Sequence, residues 1–213
     1  MARTEKPLKL HLRGTPIVIS APSGGGKTTI CAMLCKRYAK HIRYSVSATT
    51  RESRRSERNG RDYFFLTERE FKQWIEAEKF LEWAKVHGYY YGTPRAGFEE
   101  KLKKGFNVIM DIDVQGGLNI KRRYPESILI FLITRNATIL KSRLKKRKTD
   151  TKATIEKRIR NAKKELTGGE RYDYVVINDT LPRTVKMITS ILLAEGCLAK
   201  RNKQTIRSFR KEL

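Results

Sequence analysis

The residues with the most definite chemical purpose lie near the amino terminus, in the run Ile19-Ser-Ala-Pro-Ser-Gly-Gly-Gly-Lys-Thr-Thr29. Gly26-Lys27-Thr28 meets the end of the phosphate-loop pattern G-x-x-x-x-G-K-[ST], and Ala21 stands where the first glycine usually sits. Glycines at 24, 25 and 26 let backbone N–H groups turn inward around phosphate oxygens. The helix expected to follow adds the partial positive charge of its N-terminus. In such a loop Lys27 reaches the β- and γ-phosphates, and the Thr28 hydroxyl is a ligand for Mg²⁺. Ala21, Pro22, Ser23, Gly24, Gly25, Gly26, Lys27, Thr28 and Thr29 are therefore the expected wall of a nucleoside triphosphate site. A second acidic element, Met110-Asp111-Ile112-Asp113, closes a buried apolar run, where open α/β sheets place their ligands. Carboxylates at 111 and 113 can hold Mg²⁺ through water or accept hydrogen bonds from a substrate.

These residues need a scaffold, and apolar runs alternating with helical patterns supply one: a parallel sheet with helical crossovers. Pro16–Ala21, Phe106–Ile112, Ile128–Ile133 and Tyr174–Asn178 read as buried strands. Lys27–Tyr38 reads as the helix after the loop, and Gly105 as the terminator of a helix before the second strand. The last long helix is expected to open at Thr180 with Pro182 in its first turn and to end at Gly196. Between the first helix and the second strand the texture changes. Arg43–Thr50, Asp62–Thr67, Phe80–Val86 and Tyr89–Tyr91 are β-branched and aromatic, while Thr67-Glu-Arg-Glu70 is a capping box before Phe71, Trp74 and Ile75 at helical spacing. This section reads as a small mixed sheet inserted into the main one. A helical stretch over 141–164, crowded with Lys and Arg, is either a solvated surface helix or a lid that brings cations to phosphate.

The insert carries Ser45-Val-Ser-Ala-Thr-Thr-Arg51, Arg54, Asn59-Gly-Arg-Asp-Tyr63, Phe80-Leu-Glu82-Trp83 and Gly88-Tyr-Tyr-Tyr91-Gly92-Thr93. With these blocks in this order the chain closely resembles the guanylate kinases, from Ile17 to about Glu195. The resemblance implies one P-loop-type α/β domain whose core spans 14–46, 96–135 and 170–198, with a GMP-binding insert at 47–95, a lid at 136–169 and a basic tail at 199–213. It implies phosphoryl transfer from ATP to GMP, and to dGMP, with Mg²⁺ as cofactor, within purine nucleotide metabolism. By the same resemblance Arg51, Arg54, Tyr63 and Tyr91 hold the GMP phosphate, and guanidiniums and phenols are suited to a dianion. Ser47, Glu82 and Thr93 face the guanine, Asp111 and Asp113 lie on the GMP side, and Asn178 lies beside the ATP adenine. Lys27, Arg51, Arg147 and Arg158 stabilise charge on the moving phosphoryl group. The family's lid reads G-R-G around the first of the two lid arginines; here the run is Lys145-Lys146-Arg147-Lys148.

Composition bounds the alternatives. In 213 residues, 47 Lys and Arg against 22 Asp and Glu give a net charge of +25, so an acidic partner is expected, either nucleic acid or phosphorylated small molecules. The basic tail suits a non-specific affinity for nucleic acid, but no RNA- or DNA-reading motif accompanies it. A phosphopeptide-binding relative of the kinase typically lacks the phosphate loop, which is intact here, and a kinase for another nucleoside monophosphate is separable by its acceptor preference. No apolar run has the ~20 residues needed to span a bilayer, and no secretory leader is visible, so no membrane partner is expected. Three scattered cysteines, Cys31, Cys35 and Cys197, fit reduced thiols in the cytoplasm. The sequence sets no oligomeric state.

Overall fold

The computed structural model describes residues 12–86, 88–145 and 152–213. Five strands, β1 (Pro16–Ser20), β2 (Ile42–Tyr44), β7 (Asn107–Met110), β8 (Ile128–Thr134) and β9 (Tyr174–Asn178), form an all-parallel sheet in the order β2-β7-β1-β8-β9. Strand β1 is central, with Ile17 opposite both Ile109 of β7 and Ile128 of β8. Side chains alternate across a strand, so β1 feeds two cores. Ile17 and Ile19 pack with Ile30 and Leu34 of α1 (Lys27–Arg37) and Ile188 and Leu192 of α7 (Leu181–Cys197). Val18 faces the other side, with Phe98 of α3 (Arg95–Lys103), Leu118 and Ile120 of α4 (Val114–Arg123), and Phe131. The parallel sheet read from sequence is therefore present with both faces covered, as its near-continuous apolar strands require.

The middle section forms its own mixed sheet, β4-β3-β6-β5, built from β3 (Ala48–Thr49), β4 (Phe64–Phe65), β5 (Phe80–Val86) and β6 (Tyr89–Pro94). Strands β3 and β4 run parallel, and the other pairings are antiparallel. Helix α2 (Glu68–Glu76) opens with the expected capping box, Thr67 accepting from the Glu70 N–H while the Glu70 side chain accepts from the Thr67 N–H. It buries Phe71 against Phe80 and Tyr90, whose rings stack at centroid distances of 4.4 and 5.3 Å. Helix α4 of the main body packs on β5 of this lobe, which makes a seam between the two.

Two helix ends differ in kind. After α3, Gly105 adopts φ +80°; its N–H donates to the Leu102 carbonyl and that of Phe106 to the Lys101 carbonyl, the paired bonds of a Schellman cap. The expected stop at Gly196 is not seen. Helix α7 opens at Thr180 as expected but runs on to Cys197, with Gly196 buried inside it and not among the glycines of positive φ. Beyond it the basic tail is structured: a short 3₁₀ turn (Ala199–Arg201) leads into α8 (Lys203–Glu212). Arg201 holds the turn, donating to the Glu195 carboxylate at 3.0 Å and to the Glu126 carbonyl at 2.9 Å, while the Tyr174 hydroxyl donates to Glu195 at 2.5 Å. The basic stretch forms α5 (Ala137–Lys145) and α6 (Lys152–Gly169). Among the described residues no helix is long and apolar enough to cross a membrane.

Candidate active site

The loop between β1 and α1 is shaped by its glycines. Gly24 and Gly26 have φ of +81° and +86°, a region that side-chain-bearing residues avoid, and a Cβ on Gly25 would lie 2.5 Å from that of Ala21. Gly25 donates to the Pro22 carbonyl at 2.8 Å, closing the turn. From below, the Asn178 amide donates to the Gly25 carbonyl at 2.7 Å and accepts from the Thr184 hydroxyl at 3.0 Å. Both functional atoms of Asn178 are thus engaged beneath the loop. Ser20 is tied down as well, donating to the Ile112 carbonyl at 2.7 Å and accepting from Tyr172 at 2.7 Å. The loop so held stands at the start of α1 and opens onto a cleft of about 750 Å³ that Gly24–Thr29 line.

Strand β7 delivers Asp111 to the same loop. Its carboxylate accepts from the Thr28 hydroxyl at 2.6 Å and, through the other oxygen, from the Tyr44 hydroxyl. Burial, then the neighbouring Asp111 carboxylate, pushes the Tyr44 phenol far above its ordinary range, so it remains a donor. Asp113 caps α4, accepting from the Gly116 N–H at 2.9 Å.

The insert faces this loop across a second chamber of about 250 Å³, and Ser23, Lys27, Arg51, Arg54, Tyr63 and Tyr91 border both spaces. One guanidinium nitrogen of Arg51 donates to both carboxylate oxygens of Glu57 at 3.0 Å, and the Arg54 guanidinium lies 3.8 Å from the same acid. The Arg51 guanidinium sits 5.5 Å from the Tyr63 ring centroid, and the Tyr63 and Tyr91 rings meet edge-on at 6.1 Å. Deeper in, the second chamber is lined by Ser47, Glu82, Asp111 and Asp113. Glu82 is 8% exposed and accepts from the Thr93 hydroxyl at 2.5 Å across the β5–β6 pairing. Burial pushes its carboxyl up to about 7, with the nearby Asp113 charge adding to the rise and the Thr93 bonds opposing it.

The two chambers are lined by Ser23–Thr29 of the loop and by every expected insert residue except Thr93, which is buried behind Glu82; Ala21 and Pro22 are buried and do not line either chamber, Ala21 packing into the core. Asn178 supports the loop from beneath rather than lining the cleft. Arg147 lies outside the described residues; Arg158 falls in α6, its side chain likewise outside them. Three residues at the site had no sequence signal that set them apart. Glu57 is one acid in an arginine-rich loop, Tyr44 is one of nine tyrosines, and Glu165 of α6 reaches the loop to accept from the Ser23 N–H at 3.3 Å.

The donors at the loop suit Mg²⁺. Among the described residues no cluster of three or more His, Cys, Asp or Glu could cage a metal. One hydroxyl, Thr28, and one carboxylate, Asp111, meet at 2.6 Å. Mg²⁺ commonly takes one or two protein groups and completes its shell with water and substrate phosphates, so this sparse set fits.

A parallel sheet with a phosphate loop after its central strand, facing a lobe of arginines and tyrosines over a buried acid, defines a P-loop phosphotransferase with a second substrate site. The sequence model of the guanylate kinase family matches residues 13–195. A guanylate kinase of Caldanaerobacter subterraneus subsp. tengcongensis is 43% identical over 205 residues, covering 96% of this chain and 99% of its own. One from Thermotoga maritima is 41% identical over 202 residues, covering 95% and 97%. The crystal structure of guanylate kinase from Anaplasma phagocytophilum superposes with a TM-score of 0.75 at 30% identity, covering 90% of this chain and 91% of that one. The chain belongs to the guanylate kinase family, and so to the nucleoside monophosphate kinases.

Proposed function

We propose that this cleft transfers the γ-phosphoryl group of ATP to the phosphate of GMP or dGMP, giving ADP and GDP. The observation that carries the reading is the buried Glu82 carboxylate, which lines the same chamber as Lys27 and Thr28 of the phosphate loop, with Arg51, Arg54, Tyr63 and Tyr91 on its walls. A carboxylate there accepts from the paired N1–H and 2-amino donors of guanine, with Ser47 and Thr93 beside it. Adenine lacks that pair, and a buried acceptor without its donors is costly, so AMP is rejected. The arginines and tyrosines fix the acceptor phosphate, Asp111 and Asp113 border it, and Lys27 meets the transferring group together with Arg147 and Arg158. The acceptor phosphate is itself the nucleophile, so alignment and charge neutralisation are the protein's main contribution. Thr28, through its hydroxyl, and Asp111 would hold Mg²⁺, which would neutralise charge on the nucleotide phosphates. Asn178 acts on the ATP side by supporting the loop. The setting is purine nucleotide metabolism in the cytoplasm.

An acceptor panel of the four common nucleoside monophosphates, with ATP and Mg²⁺, tests the assignment. ADP should form rapidly with GMP and dGMP and only slowly with AMP, CMP or UMP. Comparable rates with AMP would remove Glu82 from the role of base reader.

The raised Glu82 carboxyl gives a second signature. Near pH 7 about half of the free protein carries a proton there, whereas the guanine-bound form requires the carboxylate. A phosphate monoester, with a second pKa of about 6, is already largely ionised at that pH. Binding of GMP at pH 7 should therefore release about half a proton, read as a calorimetric enthalpy that varies with the ionisation enthalpy of the buffer. An enthalpy indifferent to the buffer would contradict it.

A further inference from the structure

The Glu82 carboxylate is enclosed from two sides. On β6, directly opposite, the Thr93 hydroxyl donates to Oε1 at 2.5 Å. On α4 stands Gly116, in the first helical turn, where an added Cβ would fall 2.6 Å from Oε2 and 3.1 Å from the carboxyl carbon. Real Cβ atoms do not approach so closely, so a side chain of any kind at 116 must displace the acid or the helix. The helix has little freedom to yield. Its N-terminus is fixed by Asp113, which accepts from the Gly116 N–H itself, and the adjacent Gly117 fits so tightly that a Cβ there would lie 2.0 Å from the Tyr172 hydroxyl oxygen. Tyr172 is in turn bonded to Ser20 under the phosphate loop. The acid is the part that would move, and moving it breaks its bond to Thr93.

Helix propensity argues the other way at this position. Glycine is a poor helix former, and alanine in its place ordinarily favours the helix. Two adjacent glycines in the first turn of α4 are therefore accounted for by clearance rather than by local structure.

We propose that Gly116 is a specificity-determining position: its missing side chain sets where the Glu82 carboxylate stands, and thereby the reading of guanine. The inference rests on the reading of Glu82 given above. Gly116 belongs to the main body and Glu82 to the inserted lobe, so the reading group is located by contacts from both sides of the seam.

The test is a two-by-two set: parent, Gly116→Ala, Glu82→Ala and the double variant, assayed with GMP and with IMP, which keeps N1–H but lacks the 2-amino group. Gly116→Ala should lower kcat/KM for GMP by about tenfold or more, through KM, with KM for ATP unchanged. The GMP-to-IMP preference should narrow, because a displaced carboxylate no longer meets both donors, while the variant still unfolds in one cooperative thermal transition. In the Glu82→Ala background, where the obstacle is gone, Gly116→Ala should cause no further loss with GMP. Equal losses in the two backgrounds, or a full-strength GMP preference in Gly116→Ala, would overturn the role of Gly116 alone. Parent-level GMP efficiency in Glu82→Ala would instead defeat the base-reading role of Glu82, and this inference with it.

Discussion

Replacing Lys27 with alanine is expected to lower kcat by about a thousandfold or more while leaving the fold intact. The loss follows from what the residue faces. Lys27 is the first residue of α1, at the mouth formed by Gly24–Gly26, and borders both chambers of the cleft. A preorganised cationic donor at a phosphoryl-transfer site is worth about two to five powers of ten in rate, by analogy with oxyanion-hole donors and arginine fingers. The survival of the fold follows from where the residue sits. A cation in the first turn of a helix opposes the macrodipole, and alanine is the strongest helix former. Lys27→Ala should therefore unfold at the parent temperature or slightly above it. Steady-state turnover with ATP and GMP, alongside a thermal melt, checks both halves; a variant that keeps parent kcat would remove Lys27 from the chemistry.

Glu82→Gln should act on the acceptor side instead. The amide keeps an oxygen for the Thr93 hydroxyl but turns the second position into a donor facing a donor of guanine. Sites built around such hydrogen bonds reject a mismatched partner by about 10²–10⁵, so kcat/KM for GMP should fall at least a hundredfold while KM for ATP holds. Stability should move the opposite way. The Glu82 carboxyl titrates at about 7 in the folded chain against an ordinary value of 4.5, because burial disfavours the charged form. Between these values the folded state holds the proton more tightly, so parent stability declines as pH rises from 4.5 to 7 and stays lowered above it. The difference corresponds to about 3 kcal/mol. The glutamine variant has no such slope. It should be the more stable protein at pH 8, and denaturant melts at pH 5 and pH 8 should show the advantage only at the higher pH.

The part of the site legible in the sequence was the part built from short-range pattern. Gly26-Lys27-Thr28 announces itself because strand, turn and helix follow one another within a few residues. The Thr67–Glu70 cap is a four-residue motif, and Asp111 and Asp113 could be placed because they follow a buried apolar run. The supports of the site have no such signature. Asn178 reaches Gly25 across 153 residues, Tyr172 reaches Ser20 across 152 and Glu165 reaches Ser23 across 142. Only the closing of the sheet brings those partners together. The stop expected at Gly196 failed for a related reason. A glycine ends a helix when the chain turns left-handed there, and here the Arg201–Glu195–Tyr174 contacts carry the last turn onward to Cys197. The tail beyond was read only as charge, although Ile206 and Phe209 stand at helical spacing along α8.

The Arg51–Glu57 contact has a consequence for how the protein copes with its own charge. On the proposed reading, the guanidinium awaiting the nucleotide already holds an internal counter-ion, so an arriving phosphate exchanges places with a tethered carboxylate rather than with dissolved anions. Stray sulfate or chloride gains little by entering, since it must first evict a partner that cannot diffuse away. Recognition at this pocket is thereby insulated from the ionic strength of its surroundings to a degree that a bare +25 surface is not.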